Sequence, residues 1–505
     1  MNVLLISIDS LRRDFLGTYM DRPRVVDYDV ETDNLDRFAE RATVFDSHYA
    51  GSLPCMPARR EWLTGTKEFL WRPWGPTEPF DEPVAKLARD ADVLTHLVTD
   101  HFHYFQHGSH GYYEDFNGFE FVRGSEYDAW KTSPREPDAR FVDQILDRTT
   151  DPTDSKQYLN RNGYARNVAK FGAEEDFFSP QVFSRTMEWL EANREWDQWF
   201  CYVDSFDIHE PFHVPEPYSS MYTDEDPTDP DLPVWPYYGP VDEGQSELTD
   251  RELDFVRSQF AGSVTMVDRW LGQVLDTLDE QGLWDETMVV VTSDHGFALG
   301  DHGWMGKNDF TVYDFIARTP LIVYHPEAEG GRISALTSAV DLYATVLEGM
   351  GVGPPEETHS RSLLKLVRGT ETDHRDYVLY GYWGTSVNVT DGEYTYHRPP
   401  EPGSETICHS TTMINPHSWF TPREIRSGVD AGEYLPYTES SVWRYPADSW
   451  FQHREERLYN VETDPRQTDD LAGEDAEATD RMRSLLRQGL EEYEAPDTQY
   501  SRLGF

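Results

Sequence analysis

A chain of 505 residues with 93 acidic against 44 basic side chains carries a formal charge of −49, and the acids run through its whole length. Such a surface repels nucleic acid and anionic membranes, so neither is expected as a partner. Three cysteines at 55, 201 and 408, far apart and without Cys/His ligand spacing, exclude a disulfide framework and a structural zinc site and suit a reducing compartment.

The chain opens on "MNVLLISIDS". No basic segment precedes the short apolar run, so a signal peptide is not expected and the protein reads as cytoplasmic. "VLLISI" (3–8) has the near-continuous apolar character of a strand buried on both faces, and it delivers Asp9 and Ser10 at its C-terminal end. "DNLDRFAERA" (33–42) is spaced as a helix. In "SLPCMPARREWLTG", Cys55 stands between Pro54 and Pro57. Proline is excluded from helix interiors and central strands, so Cys55 is expected on a turn, with Pro57 at the first position of the helix that follows. The fragment alone leaves two readings open: a small buried hydrophobe, or a group presented where anions bind.

Further along, "WFCYVDSFDIHEPF" (199–212) is a strand with Cys201 as an inert core residue and His209 at its tip. The Pro- and Asp-rich 221–245 segment reads as a lid or substrate loop inserted in the fold. A long helix over 250–282 feeds "TMVVVTSDHG", a strand ending in Asp294 and His295. After residue 370 come short strands ("YVLYGYW", "GEYTYHR") and a terminal amphipathic helix near 475–494. Alternating strands and helices predict an α/β layered fold, with residues 1–370 as a catalytic domain and 371–505 as a smaller α+β subdomain.

Asp9, Cys55, Asp294 and His295 are expected at strand tips and the Cys turn, and together they supply two carboxylates, one imidazole and one sulfur, a set that suits a divalent cation. Carboxylates suit hard cations, and an imidazole widens the choice to manganese or zinc. At this point the chain resembles the sulfatases of the alkaline-phosphatase superfamily, a group that includes phosphonate monoester hydrolases and phosphodiesterases. The likeness runs through "LLISIDSLRRDFLGTY", "DNLDRFAERATVFDSHYAGSLPCMPARREWLTG", "FAGSVTMVDRWLGQVLDTLDEQGLWDETMVVVTSDHGFALGDHGWMGK" and "LYNVETDPRQTDDLAG".

The resemblance implies a large mixed β-sheet sandwiched by helices and an arylsulfatase-like hydrolysis of a small anionic ester. It implies that Cys55, in Cys-x-Pro-x-Arg, is oxidised by a formylglycine-generating enzyme, the hydrated gem-diol supplying the nucleophilic oxygen. Asp9, Asp294, His295 and the modified Cys55 would bind one divalent ion, calcium or manganese, with magnesium and zinc as alternatives. Arg59 would hold the formylglycine oxygen, Lys307 the sulfate or phosphate oxygens, and His209 the leaving-group side, with His302 a further contact. Two departures stand out. Ser10 replaces a second carboxylate, which points toward the phosphonate hydrolase branch. Instead of the family's Lys-x-His element, "TDHFHYFQHGSH" offers Thr99, His101, His103, His107 and His110, and one of His101 and His103 is expected to face the site.

The charge also sets an expectation of its own. With only seven lysines and so many acids, the composition suits concentrated salt. The Debye length grows from about 3 Å at 1 M to about 10 Å at 0.1 M, so dilution exposes each carboxylate to more neighbours. Melting temperature is therefore expected to fall steadily as potassium chloride is diluted at constant metal concentration, and a flat or rising series would contradict adaptation to brine.

Overall fold

The computed structural model describes residues 1–19, 24–106, 109–131, 137–145, 155–413, 428–447, 449 and 455–505, with backbone alone over 155–160. Eight strands form the main sheet: β1 (Asn2–Ile8), β2 (Thr43–Tyr49), β3 (Leu94–Thr99), β4 (Gly118–Phe121), β5 (Trp199–Ser205), β6 (Thr287–Thr292), β7 (Leu321–Tyr324) and β8 (Gly331–Ser338). Their order is β8-β2-β7-β6-β1-β5-β3-β4. Strand β1 lies at the centre, parallel to β5 and β6, while β7 runs antiparallel to β6 and β2, which makes the sheet mixed.

Every residue of β1 is buried, as its apolar run predicts. The two-residue period of the strand divides that run between two layers. Leu4, Ile6 and Ile8 pack with α3 (Phe178–Asn193) and α4 (Asp250–Gln281) on one face. Val3 and Leu5 pack with α2 (Cys55–Thr64) and α5 (Asp341–Gly349) on the other. Helix α4 matches its predicted span because both ends are encoded: Thr249 and Glu252 form a capping box, and Gly282 closes the helix at φ 68°. Helix α1 (Asp33–Glu40) stops two residues short of the span read from spacing.

Within α4, Gly262 faces the Tyr218 carbonyl so closely that a Cβ would sit 2.4 Å from that oxygen. Alanine is the better helix former, yet overpacking against backbone outweighs propensity here. Gly262→Ala is expected to destabilise the fold by about 1–3 kcal/mol in a melting experiment. A gain in stability would show that the helix can shift away from Tyr218.

A second sheet combines Arg457–Asn460, Tyr394–Arg398, Val387–Thr390 and Val378–Tyr382 with the short strand Ser52–Leu53. The terminal helix α6 (Ala476–Glu492) covers it through Met482, Leu486 and Leu490, in a core that also takes in Phe69, Leu70 and Trp71. The N-terminal part of the chain thus supplies a strand and core residues to the sheet that lies beyond residue 370. Among the described residues, no helix is long and apolar enough to cross a membrane.

Candidate active site

Parallel strands β1, β5 and β6 end at the same edge of the main sheet, where open α/β sheets present ligand sites. Asp9 follows β1, Asp204 lies near the end of β5, and Asp294 and His295 follow β6. The fourth contributor arrives from the second sheet. Ser52 and Leu53 pair in parallel with Gly381 and Tyr382, and Ser52 donates to Glu61 of α2 through both its N–H and its hydroxyl, at 2.6 Å each. This strap fixes the start of α2.

Here the structure departs from the sequence reading. Cys55 is not on a turn ahead of the helix but is its first residue, with Pro54 at the N-cap and Pro57 in the third position. The first four N–H groups of a helix have no intrahelical acceptor, so Pro57 forfeits no hydrogen bond there. The first bond of the helix runs from Ala58 N–H to Pro54 O at 3.0 Å.

Cys55 Sγ lies 3.3 Å from His295 Nε2 and accepts from Lys307 Nζ at 3.2 Å. Ligand atoms of Asp9, Cys55, Asp294 and His295 all fall within 4.8 Å of one another, and all four residues are buried. His295 Nδ1 donates to Gly296 O at 3.0 Å, since a carbonyl only accepts, and this leaves Nε2 as the lone pair that faces the sulfur. Burial first, then the Asp9 and Asp294 charges, push the Cys55 thiol well above its ordinary range.

One turn along α2, Arg59 is fully buried among three carboxylates. It forks onto Asp204 at 2.9 and 2.8 Å, donates to Asp294 Oδ2 at 2.5 Å and approaches Asp9 Oδ2 at 3.0 Å. Its contact with Cys55 is to the backbone carbonyl, at 3.0 Å. Burial opposes the charge, but Asp204, Asp294 and Asp9 together hold Arg59 ionised well beyond its usual range. A planar five-donor fork can align three carboxylates at once; an ammonium cannot. Sequence reasoning missed Asp204, although it stands at a strand tip like the others.

Ser10 adopts φ 61° and ties two of the carboxylates together. Its N–H donates to Asp294 Oδ1 at 3.0 Å and its hydroxyl to Asp9 Oδ1 at 2.8 Å. Asp tolerates this left-handed backbone better than most residues. If these ligand atoms hold a divalent ion, Ser10→Asp is expected to shift metal preference toward calcium or magnesium over manganese in competitive titration, and an unchanged order would mean that a side chain at position 10 does not reach it.

Beside Cys55 opens a cavity of about 360 Å³, lined by Lys307, His103, His209, Glu126, Glu210 and aromatic rings from four regions. The 221–245 segment supplies Trp235, Tyr237 and Tyr238. That segment is also anchored, since Leu232, Val234 and Trp235 are buried. Of the two candidate imidazoles, His103 lines the cavity, whereas His101 lies against Asp9 with Nε2 3.5 Å from Oδ2. His209 Nδ1 donates to Glu210 O at 2.9 Å. Glu126 and Glu210 were not singled out in the sequence; neither belongs to a spacing that signals chemistry.

The remaining expected residues sit elsewhere. Thr99 is buried at the end of β3, where its hydroxyl accepts from His101 N–H at 2.9 Å, and it does not line the cavity. His302 lies in a different cavity, stacked on Tyr313 at 3.8 Å and bonded through Nε2 to Arg466 O at 3.0 Å. His110 is exposed, and His107 falls outside the described residues.

Comparison with known proteins matches a family model described as Sulfatase to residues 1–352. A multifunctional alkaline phosphatase superfamily protein of Trinickia caryophylli is 28% identical over 439 residues, covering 75% of this chain and 80% of that protein. An arylsulfatase of Clostridium perfringens is 21% identical over 534 residues, covering 99% and 97%. Among solved structures, the phosphonate monoester hydrolase of Agrobacterium radiobacter superposes with a TM-score of 0.65 at 19% identity, covering 97% of this chain and 95% of that one.

Proposed function

Because the chain belongs to the sulfatase family of sulfuric ester hydrolases, we propose that it hydrolyses a sulfate monoester through a formylglycine made from Cys55 and held beside one divalent ion. The observation that carries this reading is the placement of Cys55 Sγ against both His295 and Lys307, inside a compact set of ligand atoms. That set fits an ion: two carboxylates, one imidazole lone pair and a Cys55 side chain converge, and Asp9 Oδ2 makes no hydrogen bond beyond its ion pair with Arg59. When bound, the ion would lower the pKa of the nucleophilic oxygen and neutralise charge on the ester.

The residues of the chain divide the remaining work. Lys307 places a compact ammonium at the reacting position and is itself held by the hydroxyl of Tyr382, which donates to its backbone carbonyl. Arg59 fixes the spacing of Asp9, Asp204 and Asp294. His209 and His103, in the cavity wall, hold ring nitrogens on the side where an alcohol departs and needs a proton.

Charge supports a monoanionic ester. Asp9, Asp204 and Asp294 outnumber Arg59 and Lys307 by one, and a divalent ion would turn that deficit into a single positive charge. A sulfate monoester complements it; a dianionic phosphate monoester does not. Phosphonate monoesters and phosphodiesters are also monoanions, and Ser10 in place of a second carboxylate favours them as the second reading. Paired assays on an aryl sulfate and an aryl phosphonate test the choice. Higher kcat/KM on the sulfate is expected, and the reverse order would move the assignment to phosphonate hydrolysis. Conversion of Cys55 requires a formylglycine-generating partner in the same compartment, for which the cytoplasm is our proposal.

A further inference from the structure

Two carboxylates in the cavity wall have no part in the reaction just described. Glu126 and Glu210 line the same cavity as Cys55, with side chains only 7% and 5% exposed. The Oε2 atom of each makes no hydrogen bond. Each stands near an imidazole, Glu126 Oε2 at 3.3 Å from His103 Nε2 and Glu210 Oε2 at 3.1 Å from His209 Nδ1. Both rings already commit Nδ1 elsewhere, His103 to Gln106 Oε1 at 2.8 Å and His209 to Glu210 O.

Among the described residues, neither carboxylate has a lysine or arginine ion-pair partner. Arg161, which also lines the cavity, donates through Nη1 to the carbonyls of Ile145 and Trp235. Burying carboxylates without a cation is costly. Burial first, with Glu210 adding to it, accordingly pushes Glu126 up to about 8. Around the pair stand Trp74, Tyr127 and Tyr238, while Trp235 stacks on Tyr127 at 5.2 Å and already carries the Arg161 guanidinium over its ring at 4.6 Å. The π faces of such rings attract an ammonium.

We propose that Glu126, Glu210 and these rings form a subsite for a protonated or quaternary amine on the alcohol half of the substrate. The ester would then be a zwitterion, its anionic head at Lys307 and its cationic tail between the two carboxylates. This inference rests on the ester-hydrolase reading above and names the substrate class for the same cavity.

The test compares trimethylammonioethyl sulfate with neohexyl sulfate, its isostere with an uncharged carbon in place of the ammonium nitrogen, on the metal-loaded enzyme. The zwitterionic ester is expected to be favoured by at least about tenfold in kcat/KM, as cation–π and charge-assisted contacts together allow. Glu126→Gln and Glu210→Gln keep side-chain volume and are each expected to shrink that ratio severalfold. Tetramethylammonium binding, followed by calorimetry, needs no turnover and is expected in the wild type and weakened in both variants. Equal preference for the ester with the uncharged tail, or no tetramethylammonium binding, overturns the subsite. So does a second zinc per chain that disappears in Glu126→Gln, since Glu126, His209 and Glu210 also place ligand atoms within 4.8 Å of one another. Absence of hydrolysis on every sulfate ester, with tetramethylammonium still bound, would instead overturn the functional reading alone.

Discussion

Cys55→Ala is expected to lower turnover by at least about a thousandfold, the scale seen when an enzyme loses its nucleophile. The fold should survive. Cys55 is buried, but the polar partners of its sulfur, His295 and Lys307, are functional ones, and truncation to alanine removes a single heavy atom. Helix α2 does not depend on the thiol either, since Pro54 caps it and Glu61 ties it to the strap. The loss of that atom should cost about 1 kcal/mol of stability. Kinetics on an aryl sulfate, paired with a melting curve, separate the two effects. A variant that keeps most of its activity would remove Cys55 from the chemistry, and one that unfolds would give it a structural role.

Asp294→Asn carries the second large effect. Asp294 meets Arg59 at 2.5 Å, receives the Ser10 and His295 N–H groups and contributes to the ligand set. Asparagine preserves the shape but removes the charge that a hard cation needs. The variant is expected to lose its divalent ion on gel filtration, read by elemental analysis. It should also lose at least about a hundredfold in kcat/KM, since a metal contributes several kcal/mol of charge stabilisation in such reactions. Restoring activity with excess manganese or calcium would confirm that affinity, rather than geometry, was lost. Full metal content in an inactive variant would place the ion elsewhere.

The site was legible where it followed from strand tips. An apolar run ending in Asp9, and another ending in Asp294 and His295, already imply adjacent parallel strands and a shared edge. The same logic applied to "YVDS" would have produced Asp204, the main anchor of Arg59. Other parts were not accessible in this way. A strap of two residues, Ser52 and Leu53, has no periodicity, so its pairing with Val378–Tyr382 more than three hundred residues later leaves no trace in the local sequence. His101 and His103 lie beside one another in a single turn, and the folded chain sets His101 against Asp9 while His103 lines the cavity. Glu126 acquires its character from burial beside His103, His209 and Glu210, which only the folded chain brings together. Pro57 misled the placement of the helix start because proline is as harmless in the third position as in the first.

Mass spectrometry of the Cys55 peptide, from protein purified out of its native host with specific activity recorded for the same sample, tests the account most directly. The account predicts an aldehyde or its hydrate at position 55, in a fraction that tracks activity from one preparation to the next. An intact thiol throughout fully active protein would contradict it.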